Sequence, residues 1–331
     1  MRAAGTLLLT RRDIASLLSL ENCIDAVERV FKLYGEGKTQ PPGIMGVHAA
    51  SGAFHIKAGL LDLKRPYFAA KINANFPQNP ARFGLPLIQG VIALYDAESG
   101  FPLALMDSTE ITILRTGAAT AVAAKYLAKP NSTAVTICGC GNQGAVSLRA
   151  LRAAFSLNQI FAYDVDHDRA RQYGQELSEQ LHVKVEAIQD IGKALSRSDI
   201  CVTCTPSKRF YLKGEYVHPG TFIAAVGADS EDKQELDPTL LKGNKIVVDI
   251  LDQCATIGEL HHALEKNIVT RSDVHAELGE VVAGIKPGRT SSEEITIFDS
   301  TGMALQDVVS AATAYERAVQ IGMGVPLNFA N

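Results

Sequence analysis

Residues 133 to 164 change hydrophobic period twice. Thr133 to Cys138 alternates β-branched and apolar residues and stops at a glycine cluster, the pattern of a buried strand. Ala145 to Phe155 continues with helical spacing, and Gln159 to Tyr163 reads as a second strand that ends on Asp164. The alternation then repeats. It predicts a helix near 167–180, a strand in KVEAI, a short helix at 191–197, strands in ICVTCTP, TFIAAVG and KIVVDI, and a last strand, EITIFDST, at 294–301. Strands and helices in this order specify a mostly parallel sheet covered on both faces, an α/β Rossmann-type doubly wound domain.

The chain upstream is patterned differently. Ser19 opens a helix whose predicted apolar stripe is Ile24, Val27, Phe31 and Tyr34, stopped by Gly35 and Gly37. Pro41 to Asp96 reads as short strands, GIMGVH, AFHIKAGLL, YFAAKINANF and LIQGVIALYD, divided by Pro66, Pro77, Pro80 and Ser99-Gly100. That is a sheet-rich α+β domain. An alanine-rich helix over 112–128, closed by Lys129-Pro130, leads into the Rossmann-type domain. A final helix from Ala304 to Ile321, with Leu305, Val308, Val309 and Ala312 on one face, is expected to return to the first domain. The expected domains are therefore 1–115 with 309–331, and 116–308.

The turn after Cys138 supplies the first candidate chemistry. Gly139, Gly141 and Gly144 fit G-x-G-x-x-G between a strand and a helix. One glycine makes the tight turn, one lets the backbone approach a pyrophosphate, and one packs helix on strand. The pyrophosphate would sit at the helix N-terminus, where N–H groups and the dipole favour an anion. Asp164 would accept hydrogen bonds from a ribose 2′-OH and repel a 2′-phosphate, so NAD is expected rather than NADP. Its other reading is a helix cap, a role open to Asp166 and Asp168 as well. Thr205, Ser207, Gly227 and Ser300 also follow strands, where a parallel sheet binds ligands; their hydroxyls are candidates for the nicotinamide ribose or amide, or for turn formation.

Composition narrows the partners. The 331 residues are 47% hydrophobic, enough for two cores. A net charge of −4 with the signs intermixed gives no basic face for nucleic acid or an anionic membrane. No apolar run approaches the ~20 residues of a membrane span, and MRAAGTLLLTRRD lacks a signal-peptide pattern, so the cytoplasm is expected. The six cysteines, Cys201 and Cys204 among them, are expected to be free thiols. His261 and His262 near Glu259 invite a metal reading; adjacent histidines are expected to diverge on a regular element, and no metal is predicted.

Two further groups carry candidate chemistry. Lys57 in FHIKAG and Lys71 in AAKINANF each lie inside an apolar strand, alternation puts His55 on the face of Lys57, and Arg115 lies near the domain junction. Cations in such places need a partner: a substrate carboxylate, or structural salt bridges. Asp229 follows TFIAAV at the carboxyl end of a strand, a place for an acid–base carboxylate or for a helix N-cap.

The segments KINANFPQNP, GFPLALMDSTEITILRTGAATAVAAKYLA, ICGCGNQG, GADSEDKQELD, GEVVAGIKPGR and EEITIFDSTGMALQD resemble the ornithine cyclodeaminase and mu-crystallin family, which includes an archaeal type of alanine dehydrogenase and several cyclic-imine reductases. The resemblance implies a homodimer whose contact is made by an α+β domain completed by the C-terminal helix, with the Rossmann domain inserted and substrate between the domains. It places Lys71 and Arg115 as the carboxylate-binding pair and Asp229 as the catalytic aspartate, with Lys71 as a second catalytic candidate. Thr116, Asn142, Gln143, Asp164 and Ser300 fall in dinucleotide-holding segments. Two departures stand out: Asp229 is not followed by the cysteine-proline-glycine run of ornithine cyclodeaminases, and Lys57-Ala58 replaces a Met-Pro common in the family. The implied activity is an NAD(H)-dependent oxidoreductase that interconverts a small α-amino acid with its imine or oxo acid, such as alanine with pyruvate or proline with its cyclic 2-imine. The alternatives are the lyase ornithine cyclodeaminase, in which NAD takes a hydride and returns it, and a mu-crystallin-like binding protein.

Overall fold

A computed structural model describes residues 5–328. The chain begins with β1 (Thr6–Leu9), α1 (Arg11–Leu17), α2 (Leu20–Gly35), β2 (Gly43–Ala49), β3 (Gly52–Asp62), β4 (Pro66–Asn75), α3 (Asn79–Phe83), β5 (Ile88–Asp96), β6 (Pro102–Asp107) and α4 (Ser108–Leu127). Helix α2 starts where expected because the Ser19 hydroxyl accepts the Asn22 N–H at 3.2 Å, satisfying one of the helix's unpaired donors. Its buried stripe is Cys23, Val27, Val30 and Phe31, while Ile24 and Tyr34 are only half-buried. Both sets have helical spacing, and the neighbouring elements decide between them. Strands β1 and β6, four and six residues long, are additional to the strands expected.

The next elements are β7 (Ala134–Cys138), α5 (Asn142–Ala154), β8 (Gln159–Tyr163), α6 (His167–Leu181), β9 (Val185–Ala187), α7 (Ile191–Leu195), β10 (Ile200–Thr203), β11 (Lys208–Leu212), β12 (Phe222–Ala225), β13 (Gln234–Leu236), β14 (Lys245–Val248), α8 (Leu251–Ile257), α9 (Glu259–Glu265), β15 (Val274–Glu277), α10 (Leu278–Val282) and β16 (Thr296–Asp299). Eight of these strands form one sheet in the order β15-β14-β16-β12-β10-β7-β8-β9, every pair parallel. Every residue of β7, β10, β12 and β16 is buried, as strands covered on both faces require. The order reverses between β7 and β10, the topological switch point at which such sheets bind ligands. The pair β11 and β13 stands apart as a two-stranded sheet.

The chain closes with α11 (Ala304–Ile321) and β17 (Val325–Leu327). β17 joins the first sheet, whose order is β17-β1-β6-β5-β4-β3-β2, and α11 packs on β3, β4 and α2. The two units are Met1–Arg115 with Met303–Asn331, and Thr116–Gly302. The second boundary falls at 303 rather than 309 because α11 is one unbroken helix and docks as a whole. Gly59 marks its seat: a Cβ there would lie 2.8 Å from Leu305 Cδ2. No helix among the described residues is long and apolar enough to cross a membrane. Leu305 is fully buried, so Leu305→Ala is expected to cost about 2–5 kcal/mol. Urea denaturation with circular dichroism measures this; a loss below half a kcal/mol would mean that α11 does not hold the first sheet.

Candidate functional site

The turn between β7 and α5 assigns each glycine a physical task. Gly139 has φ +110°, and a Cβ there would lie 2.9 Å from the Cys204 carbonyl oxygen. Only glycine makes this turn against the loop after β10. At Gly144 a Cβ would come within 2.1 Å of the Gly139 carbonyl oxygen, so this glycine lets α5 close onto the turn. At Gly141 a Cβ would meet nothing within 4 Å. Gly141 is also the N-cap of α5 and gives the helix no side-chain cap, which leaves open the space and the N–H donors that a pyrophosphate needs. Asn142, exposed, and Gln143 begin the helix, and the buried Gln143 Oε1 has no hydrogen-bond partner among the described residues. An open cradle, uncapped donors and an orphaned acceptor fit a dinucleotide.

Asp164 directly follows β8. Its Oδ2 accepts the Cys140 N–H at 3.0 Å and its Oδ1 the Asp166 N–H at 3.1 Å. It does not cap α6; Asp166 does, accepting from the N–H groups of Asp168 and Arg169. Thr116 lies buried on α4, its carbonyl accepting the Thr120 hydroxyl.

The hydroxyls expected at the nicotinamide are engaged internally. Thr205 Oγ1 donates to the buried Glu235 at 2.7 Å, and the Thr205 and Gly227 N–H groups donate to the same carboxylate at 2.6 and 3.1 Å. Ser300 Oγ donates to the buried Asp249 at 2.9 Å. Ser207 Oγ donates to the Arg209 carbonyl and forms a turn. Glu235 and Asp249 thus hold these loops through their carboxylates, a role that pattern reading missed, since an acid in a short strand or loop shows no periodicity. Burial raises the pKa of Glu235 and of Glu259. The six cysteines are free; Cys204 donates to the carbonyls of Cys138 and Gly139, tying β10's loop to the glycine turn.

In the other unit, β3 and β4 pair so that Lys57 faces Lys71 and His55 faces Asn73. Lys57, Lys71 and Arg115 are all buried, and His55 is half-buried. Lys71 Nζ lies 2.8 Å from Asp307 Oδ1 and 2.7 Å from Oδ2, and Arg115 Nε lies 3.4 Å from Oδ1. Arg115 also donates to Gln306 Oε1 at 3.2 Å. Arg115 Nε and Gln306 Nε2 are buried and make no hydrogen bond among the described residues. Burial pulls Lys71 down to about 7, with the Asp307 carboxylate pulling the other way. Burial opposes the charge of Asp307, yet Lys71 and Arg115 hold its carboxyl below the usual range. Asp307 is the key residue missed. Its signal was an acid on the apolar face of a helix, which demands a buried cation.

Asp229 follows β12 and is half exposed, its Oδ1 2.5 Å from Lys233 Nζ. A turn and then β13, not a helix, come directly after it, so the N-cap role does not apply. The adjacent histidines do not diverge as expected. On α9 the His261 and His262 rings tilt toward each other, with centroids 5.2 Å apart, and with Glu265 they gather ligand-type atoms within 4.8 Å. His262 Nε2 meets the Lys233 carbonyl at 2.7 Å.

A doubly wound parallel sheet with a glycine-turn cradle, joined to an α+β unit that buries three cations around one aspartate, defines a dinucleotide-type Rossmann protein. The ornithine cyclodeaminase/mu-crystallin family model matches residues 5–322, and the chain belongs to that family. It is similar to the archaeal alanine dehydrogenase dimer solved with bound NAD: 42% identical, TM-score 0.93, covering 98% of this chain and 99% of the other. It is also similar to Thermococcus litoralis Δ1-pyrroline-2-carboxylate reductase in complex with NADH and L-proline, at 33% identity and TM-score 0.92 over 97% and 100% of the chains. The iminosuccinate reductase of Paracoccus denitrificans in complex with NAD+ matches at 30% and TM-score 0.88 over 96% and 98%.

Burial, with the Asp249 charge adding to it, pushes Asp299 up to about 7. An unfolded aspartate titrates near ~3.9, so between about pH 4 and 7 the native state holds a proton that the unfolded chain has lost. Stability is therefore lost as pH rises through that window. Asp299→Asn removes the titration, and the variant should gain on the wild type by ~1 kcal/mol or more between pH 5 and pH 8. Urea denaturation at both pH values decides it: a gap that does not move with pH would show Asp299 ionised throughout.

Proposed function

We propose that this chain is an NAD(H)-dependent oxidoreductase that interconverts a small α-amino acid with its imine or oxo acid. The observation that carries the reading is the buried Lys71–Arg115 pair beside Asp307, in which Arg115 Nε lies in ion-pair range of Asp307 at 3.4 Å but makes no hydrogen bond among the described residues. A planar guanidinium beside an ammonium matches a carboxylate. Relatives of this architecture act on alanine, on a cyclic imino acid and on an imino dicarboxylate, each solved with a nicotinamide nucleotide. Gly139, Gly141, Gly144, Asn142 and Gln143 would hold the pyrophosphate, and Asp164 the adenosine ribose, which favours NAD over NADP.

The division of labour follows from the side chains. Lys71 and Arg115 bind the substrate carboxylate and orient Cα. Reduced nicotinamide, when bound, supplies the hydride for the imine carbon. The Asp229 carboxylate accepts the amine proton in the oxidative direction and returns it in the reductive one, and Lys233 holds it in place. The free cysteines suit a reducing compartment, the cytoplasm.

The assay is net loss of the reduced-nicotinamide absorbance with imino acids, or with oxo acids and ammonium. Asp229→Asn should lower kcat by roughly 10² to 10⁴ with NADH affinity and Tm unchanged. Ammonia release from ornithine with no net absorbance change would give the protein to the lyase alternative instead.

We also propose a homodimer through the outer face of the first sheet. The register lines up Met45, Ile56, Ile72 and Val91 across four strands, and Met45, Ile72 and Val91 are exposed at 53%, 42% and 42%. An apolar patch this continuous calls for a cover, and a second copy offers the same patch to it. Ile72→Asp should shift the sedimenting species from dimer to monomer. An unchanged mass in ultracentrifugation would place the interface elsewhere.

A further inference from the structure

Helix α9 carries Glu259, His261, His262 and Glu265 in seven residues, and these side chains divide by what they meet. Glu259 is buried and committed to the backbone: its two oxygens accept the N–H groups of Glu235 and Leu236 at 2.7 and 3.1 Å, fastening the helix to β13. The other three gather apart from it, with ligand-type atoms, one from each side chain, all within 4.8 Å of one another. Both histidines are half-buried and Glu265 is exposed. Neither the His261 ring nor the Glu265 carboxylate has a hydrogen bond or ion pair among the described residues. His262 is held. Its Nε2 lies 2.7 Å from the Lys233 carbonyl oxygen, and because a carbonyl only accepts, Nε2 carries the proton. In the neutral ring this leaves the lone pair on Nδ1. An imidazole that donates one N–H to a backbone carbonyl and keeps the other nitrogen bare is the arrangement of metal-binding histidines, since the donated hydrogen bond fixes the ring and raises the basicity of the ligating nitrogen.

We propose that His261, His262 through Nδ1 and Glu265 bind one divalent transition-metal ion of the zinc type, with solvent in the remaining position. Two imidazoles and a carboxylate are a ligand set that zinc takes, whereas magnesium and calcium require oxygen ligands. A tetrahedral ion with bonds of about 2.1 Å holds its ligand atoms about 3.4 Å apart, so the three groups need to close by little more than an ångström. Glu265, exposed at the end of the helix, and the His261 ring turn to do so without breaking a hydrogen bond among the described residues. The site lies within the Rossmann unit and goes beyond the oxidoreductase function proposed above. It reaches the loop after β12, because Lys233, whose carbonyl holds His262, pairs through Nζ with Asp229 at 2.5 Å. A bound ion would therefore tie α9 to the segment that carries Asp229.

Metal binding to the full chain, stripped with a chelator and then dialysed, tests the site. Calorimetry should show one Zn²⁺ per chain with a Kd of about 10 µM or tighter. Co²⁺ should give the d–d absorption of a four-coordinate ion, and Zn²⁺ should abolish it. His261→Gln and Glu265→Gln should each weaken binding tenfold or more while keeping the wild-type Tm in chelator, since neither side chain is buried. Hydrogen exchange reads the link to the loop: Zn²⁺ should slow the amides of residues 230–235 in the wild type and leave them unchanged in His261→Gln. A wild type that takes up neither Zn²⁺ nor Co²⁺, or binding that both variants leave intact, overturns the site. Zinc bound with no change of exchange in 230–235 overturns its link to Asp229.

Discussion

The contact between Asp307 and Lys71 is the constraint around which the first unit is built. An ammonium in the middle of a sheet is not stable there unless a carboxylate reaches it, and breaking such a pair costs roughly 3–5 kcal/mol because a lone charge is left behind. The carboxylate comes from α11, at the opposite end of the chain, so the helix that closes the unit also makes its cation cluster tolerable. Gly59 lets that helix come close enough, and Gln306, one residue before Asp307, holds the guanidinium of Arg115. Packing and site are therefore one arrangement. The helix cannot dock without its aspartate finding the lysine.

The Rossmann unit uses buried acids in a different way. Glu235 gathers the N–H groups of Thr205 and Gly227 and the hydroxyls of Thr205 and Tyr211, while Asp249 gathers those of Ser300, Thr301 and the Gly302 N–H. Each carboxylate ties together loops that leave the carboxyl ends of different strands. The hydroxyls of Thr205 and Ser300 donate to these carboxylates, so the contacts that fix the loops also orient the hydroxyls. Pre-organised donors of this kind bind without first paying to order themselves.

Much of this was legible in the residues. The strand, glycine turn, helix and acid from 133 to 164 are encoded locally: period two, then φ and steric demands that only glycine meets, then period 3.6. The strands bearing Lys57 and Lys71 were also visible, because alternation is local. The stripe of α2 was not, since Cys23-Val27-Val30 and Ile24-Val27-Tyr34 both satisfy helical spacing and the choice belongs to the elements that cover them.

The sequence by itself determined that there is a nucleotide-type turn, an acid directly after the next strand, and basic residues in apolar strands, because each depends on neighbours within a few positions. The tertiary structure decided what those residues meet. That Lys57 faces Lys71, that Asp307 rather than a loop acid answers the cations, and that Thr205 and Ser300 serve Glu235 and Asp249 are matters of register and of contacts between residues far apart in the chain. Charge and hydrogen bonding act through space over a few ångströms, and only the folded chain fixes which groups come within that distance.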